Sequence, residues 1–156
     1  ILTGLQRTAD RVNILQKLPK KLRVGVVGHD VSAPGIPGEI QRYPSVKYSA
    51  LGHIYSLPIA HFGTSGWPAA CNLRLFQAAA FGGMMFHESN VDAKRHFGPE
   101  ATPFLFDNSE DLVQRIEHCV SDPTPFAKAA AAMKQRFDRE HSVMHRAKQL
   151  VSMLRA

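Results

Sequence analysis

The chain has 156 residues, 44% hydrophobic and 21% charged, with a formal charge of +6 and two cysteines. That length predicts one domain burying about two-thirds of its unfolded surface, and the balance is that of an ordinary globular protein. The longest uncharged stretch, Tyr48 to Leu73, is broken by Gly, Pro, His and Asn, which excludes a transmembrane helix.

The first residues lack the basic-then-apolar order of a signal peptide, and the opening at Ile1 reads as a segment of a longer protein. Cys71 and Cys119 have no metal-type spacing and read as reduced packing residues of a cytoplasmic protein. The basic residues are scattered, with Lys20, Lys21 and Arg23 the one dense group and no aromatic interleaving, so nucleic acid is not the expected partner. A positive field serves a sugar-diphosphate site equally well.

In chain order, Leu5, Ala9, Val12, Leu15 and Leu18 predict a helix that Pro19 closes. Leu22 to Gly28 reads as a buried parallel strand turning into a loop. Val31 to Pro44, with three prolines and two glycines, reads as loop. Val46–Ser49 and Ile59–Phe62 are short strand candidates. An Ala-rich helix follows from Asn72 to Phe81 and ends at Gly82-Gly83. Met84–Glu88 reads as strand, Val91–Phe97 as helix and Pro103–Phe106 as strand. Ser109 reads as the cap of a helix to about Val120, with Glu110 and Asp111 at its positive end. Helices then start at Pro123 and at Ser142. Strands alternating with helices predict a Rossmann-like three-layer α/β/α domain with a mostly parallel sheet and a helical C-terminus. There is no internal repeat.

The densest chemical signal is Asn72-Leu-Arg74-Leu-Phe-Gln77-Ala-Ala-Ala-Phe-Gly82-Gly83, followed by Met84-Met-Phe-His-Glu88. A helix N-terminus with an arginine in its first turn suits a phosphate; an amphipathic helix with Asn72 as an ordinary N-cap is the plainer reading of the same residues. The stretch resembles the pattern N-x-R-x-F-E-A-x-A-x-G-x-x-x-x-x-E of glycosyltransferase domains related to the spore-maturation proteins, within the two-domain GT-B group. Phe104 to Leu112 resembles that family's strand and acidic helix start, and Arg139-Glu140-His141-Ser142 with Arg146 its closing helix.

The resemblance implies the C-terminal, donor-binding half of such an enzyme, spanning 1–156 as one domain, with the acceptor and any general base supplied by an N-terminal half not present here. Asn72 and Arg74 would meet the donor diphosphate, and Arg74 would stabilise the leaving group, work that in this fold replaces a metal. Gln77 stands where the family has a ribose-binding Glu; it keeps hydrogen bonds but no charge. Gly28 and His29 would lie at the ligand cleft, and Glu88 matches an acidic position after the next strand. No cofactor is implied beyond the nucleoside diphosphate sugar, which is the donor substrate. Between Gly52 and Ile59 the family has room for a full helix where this chain has six residues and Pro58; His53 and Tyr55 there are candidates for the nucleobase.

Other constellations point less far. His141 and His145 are four apart and could share a helix face for a metal, but the zinc-protease Glu is missing. Ser65 lacks the G-x-S-x-G spacing of a nucleophile elbow, and no G-x-G-x-x-G follows the first strand. A catalytically inactive GT-B-like binding module, an NAD-dependent oxidoreductase and a sugar-nucleotide epimerase remain as alternatives.

Overall fold

A computed structural model describes residues 12–27, 35–56, 60–63 and 70–155. Residues 12–17 are helical (α1), and Val12, Ile14, Leu15 and Leu18 are buried. Past Pro19 the chain turns, with the Leu22 amide donating to the Pro19 carbonyl at 2.9 Å. It enters β1 (Gly25–Val27), inside the predicted strand. Lys17 of α1 bonds both Ser109 and Glu110, tying the helix to the start of a later one. That contact and the Ser109 hydroxyl draw the Glu110 carboxyl down to about 2.

β1 pairs in parallel with β2 (Gln41–Tyr43), Gly25 opposite Gln41. The strand lies where a loop is predicted. Gln-Arg-Tyr carries no apolar alternation because all three residues are exposed, so backbone bonding holds it and periodicity does not show it.

The expected strand at Val46–Ser49 is instead a lead-in to a helix. A 3-10 turn over Tyr48–Ala50 runs into α2 (Leu51–Ser56). The segment where the family has room for a full helix therefore keeps a shortened one of six residues. Leu51 and Tyr55, four apart, face inward, Leu51 half-buried and Tyr55 7% exposed. So short a stripe is hidden from a window that needs several turns.

A three-stranded sheet follows, ordered β3 (His61–Gly63), β4 (Met85–Glu88), β5 (Leu105–Phe106), all parallel. Between β3 and β4 runs α3 (Leu73–Phe81), and between β4 and β5 run α4 (Val91–Phe97) and a 3-10 segment, Gly98–Phe104. The prolines at 99 and 103 favour that tight turn over the longer strand expected from Pro103, since proline cannot donate to a ladder. α5 (Ser109–Ser121), α6 (Thr124–Glu140) and α7 (Val143–Leu154) complete the chain, and no strand follows Phe106 among the described residues. The α/β arrangement with parallel pairing and a helical C-terminus is as expected, although the described strands fall into two sheets.

The core sits between β4 and the helices that cover it. Phe86, Phe97, Phe104, Leu75 and Leu112 are fully buried. Phe86 of β4, Phe104 and Phe126 of α6 form a triangle of rings with centroids 5.7–5.9 Å apart. α6 packs on α3 and the 3-10 segment, and α2 packs on α3. α7 has no buried residue and exposes Val143, Leu150, Val151 and Leu154 at helical spacing.

Gly82-Gly83 ends α3 as predicted. Gly82 adopts φ 70°, and the Gly83 amide donates to Ala78 O at 2.8 Å, the six-to-one bond of a Schellman end. Gly83 also lies tight against α2. A Cβ there would lie 2.5 Å from the Tyr55 carbonyl oxygen and 3.2 Å from Tyr55 Cβ. Gly83→Ala is expected to push α2 outward and lower stability by about 1–3 kcal/mol. Chemical denaturation checks this, and an unchanged midpoint would mean that α2 does not press on Gly83.

Candidate functional site

Three consecutive helices begin at the carboxyl ends of the parallel strands, and each is capped by an asparagine. The Asn72 side-chain oxygen accepts from the Arg74 amide at 2.9 Å, that of Asn90 from Ala93 at 2.7 Å, and that of Asn108 from Asp111 at 2.9 Å. Each asparagine has extended backbone, the conformation an N-cap requires. The cap of α5 is therefore Asn108, and Ser109, the expected cap, is the first helical residue. Ligands of open parallel sheets gather at this edge.

The three positive helix ends differ in what meets them. α4 has Asp92 in its first turn and α5 has Glu110 and Asp111, whereas α3 has no acidic residue there and carries Arg74. A helix end met by carboxylates is already compensated; one that carries an arginine adds to the positive field and suits an anion. The backbone donors of α3 are largely engaged: besides the Arg74 amide, Leu75 N–H bonds Asn72 O at 2.9 Å and Asn72 N–H bonds His87 Nε2 at 3.1 Å. A phosphate here would rest chiefly on the Arg74 guanidinium and the helix dipole.

One turn further along α3, Gln77 receives a hydrogen bond from the Tyr55 hydroxyl, 3.3 Å from Oε1. Burial raises the Tyr55 phenol above its ordinary value while the nearby Arg74 charge opposes the rise. Tyr55, Arg74 and Gln77 thus form one cluster, held between α2 and α3. Tyr55, a candidate for the nucleobase, has its ring in the core and its hydroxyl on Gln77; His53 is exposed. His61 lies against Tyr55, with ring centroids 5.1 Å apart and Nε2 3.3 Å from Tyr55 O. Burial pushes the His61 imidazole down.

Asn90, unnoticed in the sequence, is 7% exposed. Its Nδ2 donates to Ala70 O and Glu88 O, both at 3.3 Å, joining the chain that leads into α3 to the end of β4. Glu88 is half-buried at the end of β4, at this same edge. Burial holds the Cys71 thiol up at about 12, so that neighbour of Asn72 stays neutral. Gly28, His29 and Ser65 lie outside the described residues.

His141 and His145 do not share a helix. His141 caps the C-terminus of α6, its Nε2 donating to His96 O at 2.9 Å, and His145 belongs to α7. Among the described residues no group of three His, Cys, Asp or Glu side chains could hold a metal.

A sequence profile of the glycosyl transferase-like family matches residues 7–152. The chain belongs to that family. Among curated proteins no sequence matches significantly. Two solved structures share the fold. One is the DNA-modifying enzyme β-glucosyltransferase, at 15% identity and a TM-score of 0.67, covering 88% of this chain and 44% of that one. The other is the T4 phage enzyme in complex with its UDP-glucose substrate, at 14% identity and a TM-score of 0.64, covering 87% and 42%. This glycosyl transferase-like chain spans less than half the length of either. No helix of the described residues is long and apolar enough to cross a membrane.

Proposed function

We propose that the chain is the donor-binding half of a glycosyltransferase that moves a sugar from a nucleoside diphosphate sugar to an acceptor hydroxyl. The observation that carries this is the α3 end, where a helix N-terminus free of first-turn carboxylates bears Arg74 beside Gln77. Arg74 would neutralise charge gathering on the leaving diphosphate, Gln77 would meet the ribose, and Gly28, His29, Asn72 and Glu88 would complete the donor site. The run from Asn72 to Glu88 supports a place in the branch related to the spore-maturation proteins. Acceptor and general base belong to an N-terminal half, for which the lengths of the two matching structures and the uncovered apolar face of α7 are the support. Cys71 and Cys119, neither in a disulfide among the described residues, fit a reducing, cytoplasmic setting.

A second reading, a binding module that kept the fold without turnover, is favoured by one feature: Gln77 spends its oxygen on Tyr55. A thermal-shift screen against UDP, GDP, their sugars and NAD separates these readings. A ligand at 100 times its Kd adds about 2.7 kcal/mol, and the expected result is a raised midpoint with one nucleoside diphosphate, UDP tested first. Stabilisation by NAD alone would overturn the donor reading, and silence with every ligand would favour the inactive module.

A further inference from the structure

Phe86-His87-Glu88 ends β4 with a histidine that no solvent reaches: His87 is 0% exposed. Its register partners, Gly63 and Leu105, carry no charge. Two bonds define its state. The Asn72 amide can only donate, and it lies 3.1 Å from Nε2; the Glu88 carbonyl can only accept, and it lies 2.7 Å from Nδ1. His87 is therefore neutral, with its proton on Nδ1. Asn72 is the cap of α3, so this ring fastens the helix that carries Arg74 and Gln77 to the centre of the sheet.

Building on the donor-site reading, we propose that His87 is a positioning residue for the nucleotide. Its bare Nε2 holds the Asn72 cap, and with it Arg74, where the diphosphate is received; protonation sets an N–H against the Asn72 N–H and releases the cap. Burial favours the neutral ring, and the Glu88 carbonyl and carboxylate oppose that effect. The ring is thus neutral near pH 8 and charges as pH falls below the ordinary histidine value of about 6.5. The other charged or titratable groups around α3 are Arg74, always charged, Cys71 and Tyr55, both held neutral by burial, Asp92, and the His96 and His141 rings packed on Phe76, His96 pushed down by burial; none of these touches His87. His61 is likewise pushed down by burial but touches Tyr55 rather than Asn72.

The test is calorimetric binding of UDP-glucose at pH 8 and pH 5.5, a ligand with no phosphate monoester to titrate, using the full chain, His87→Gln and His87→Leu. Wild type is expected to bind more weakly at pH 5.5 than at pH 8, the direction set by charging of the buried ring. Gln offers a non-titrating acceptor to Asn72, so His87→Gln should bind like wild type at pH 8 and keep that affinity at pH 5.5. His87→Leu should bind about tenfold more weakly at both. Wild-type pH dependence retained in His87→Gln, or full affinity in a folded His87→Leu, would overturn the positioning role while leaving the donor site intact. No binding by wild type at pH 8 would remove the donor site itself.

Discussion

Arg74→Ala is expected to weaken binding of the stabilising nucleoside diphosphate by roughly 10- to 100-fold, the effect of deleting hydrogen bonds to a charged group. The cap of α3 should be unaffected. The cap of α3 uses the Arg74 backbone amide rather than its side chain, and arginine and alanine are both strong helix formers. The ligand-induced rise in melting temperature should disappear. Arg74→Lys should recover part of the affinity, since it restores the charge without the planar fork. An independent readout is Tyr55, whose phenol is held down by the Arg74 charge against the effect of burial. Without Arg74 the phenol should titrate at still higher pH in an ultraviolet titration. Unchanged nucleotide affinity in Arg74→Ala would remove the central element of the proposed site.

The largest stability loss is expected at Phe86. Its ring is fully buried at the middle of β4 and touches both Phe104, just before β5, and Phe126 on α6. Phe86→Ala removes the group that joins the sheet to its helical cover. Neighbours anchored on separate elements cannot collapse fully into the cavity, so the cost is about 3–5 kcal/mol. That is a large share of the roughly 5–15 kcal/mol that holds a domain folded. Urea denaturation measures it. The three rings touch one another, so Phe86→Ala combined with Phe126→Ala should cost less than the two single changes added together. A loss under 1 kcal/mol in Phe86→Ala would mean that the triangle is not the centre of the core.

How much was legible before the structure differs along the chain for physical reasons. The helices α3, α5, α6 and α7 were readable because their apolar residues recur over several turns, and Gly82-Gly83 marks an end that a left-handed residue must make. β2 and α2 were not. Exposed Gln41–Tyr43 is held by a partner strand, and α2 by one tyrosine against Gly83, both contacts between residues distant in sequence. The cap of α5 went to Asn108 rather than Ser109 because extended backbone, not residue type alone, decides between two adjacent candidates.

The amino-acid sequence by itself determined the α/β class, the donor-half resemblance and the choice of Asn72, Arg74 and Gln77, because local periodicity and a spaced motif lie within one short stretch. Only the tertiary structure decided that Tyr55 reaches Gln77, that Asn90 ties the approach to α3 onto β4, and that His87 holds the Asn72 amide. Each of these joins residues from different elements. A hydrogen bond depends on a distance near 3 Å that only the packing of those elements sets.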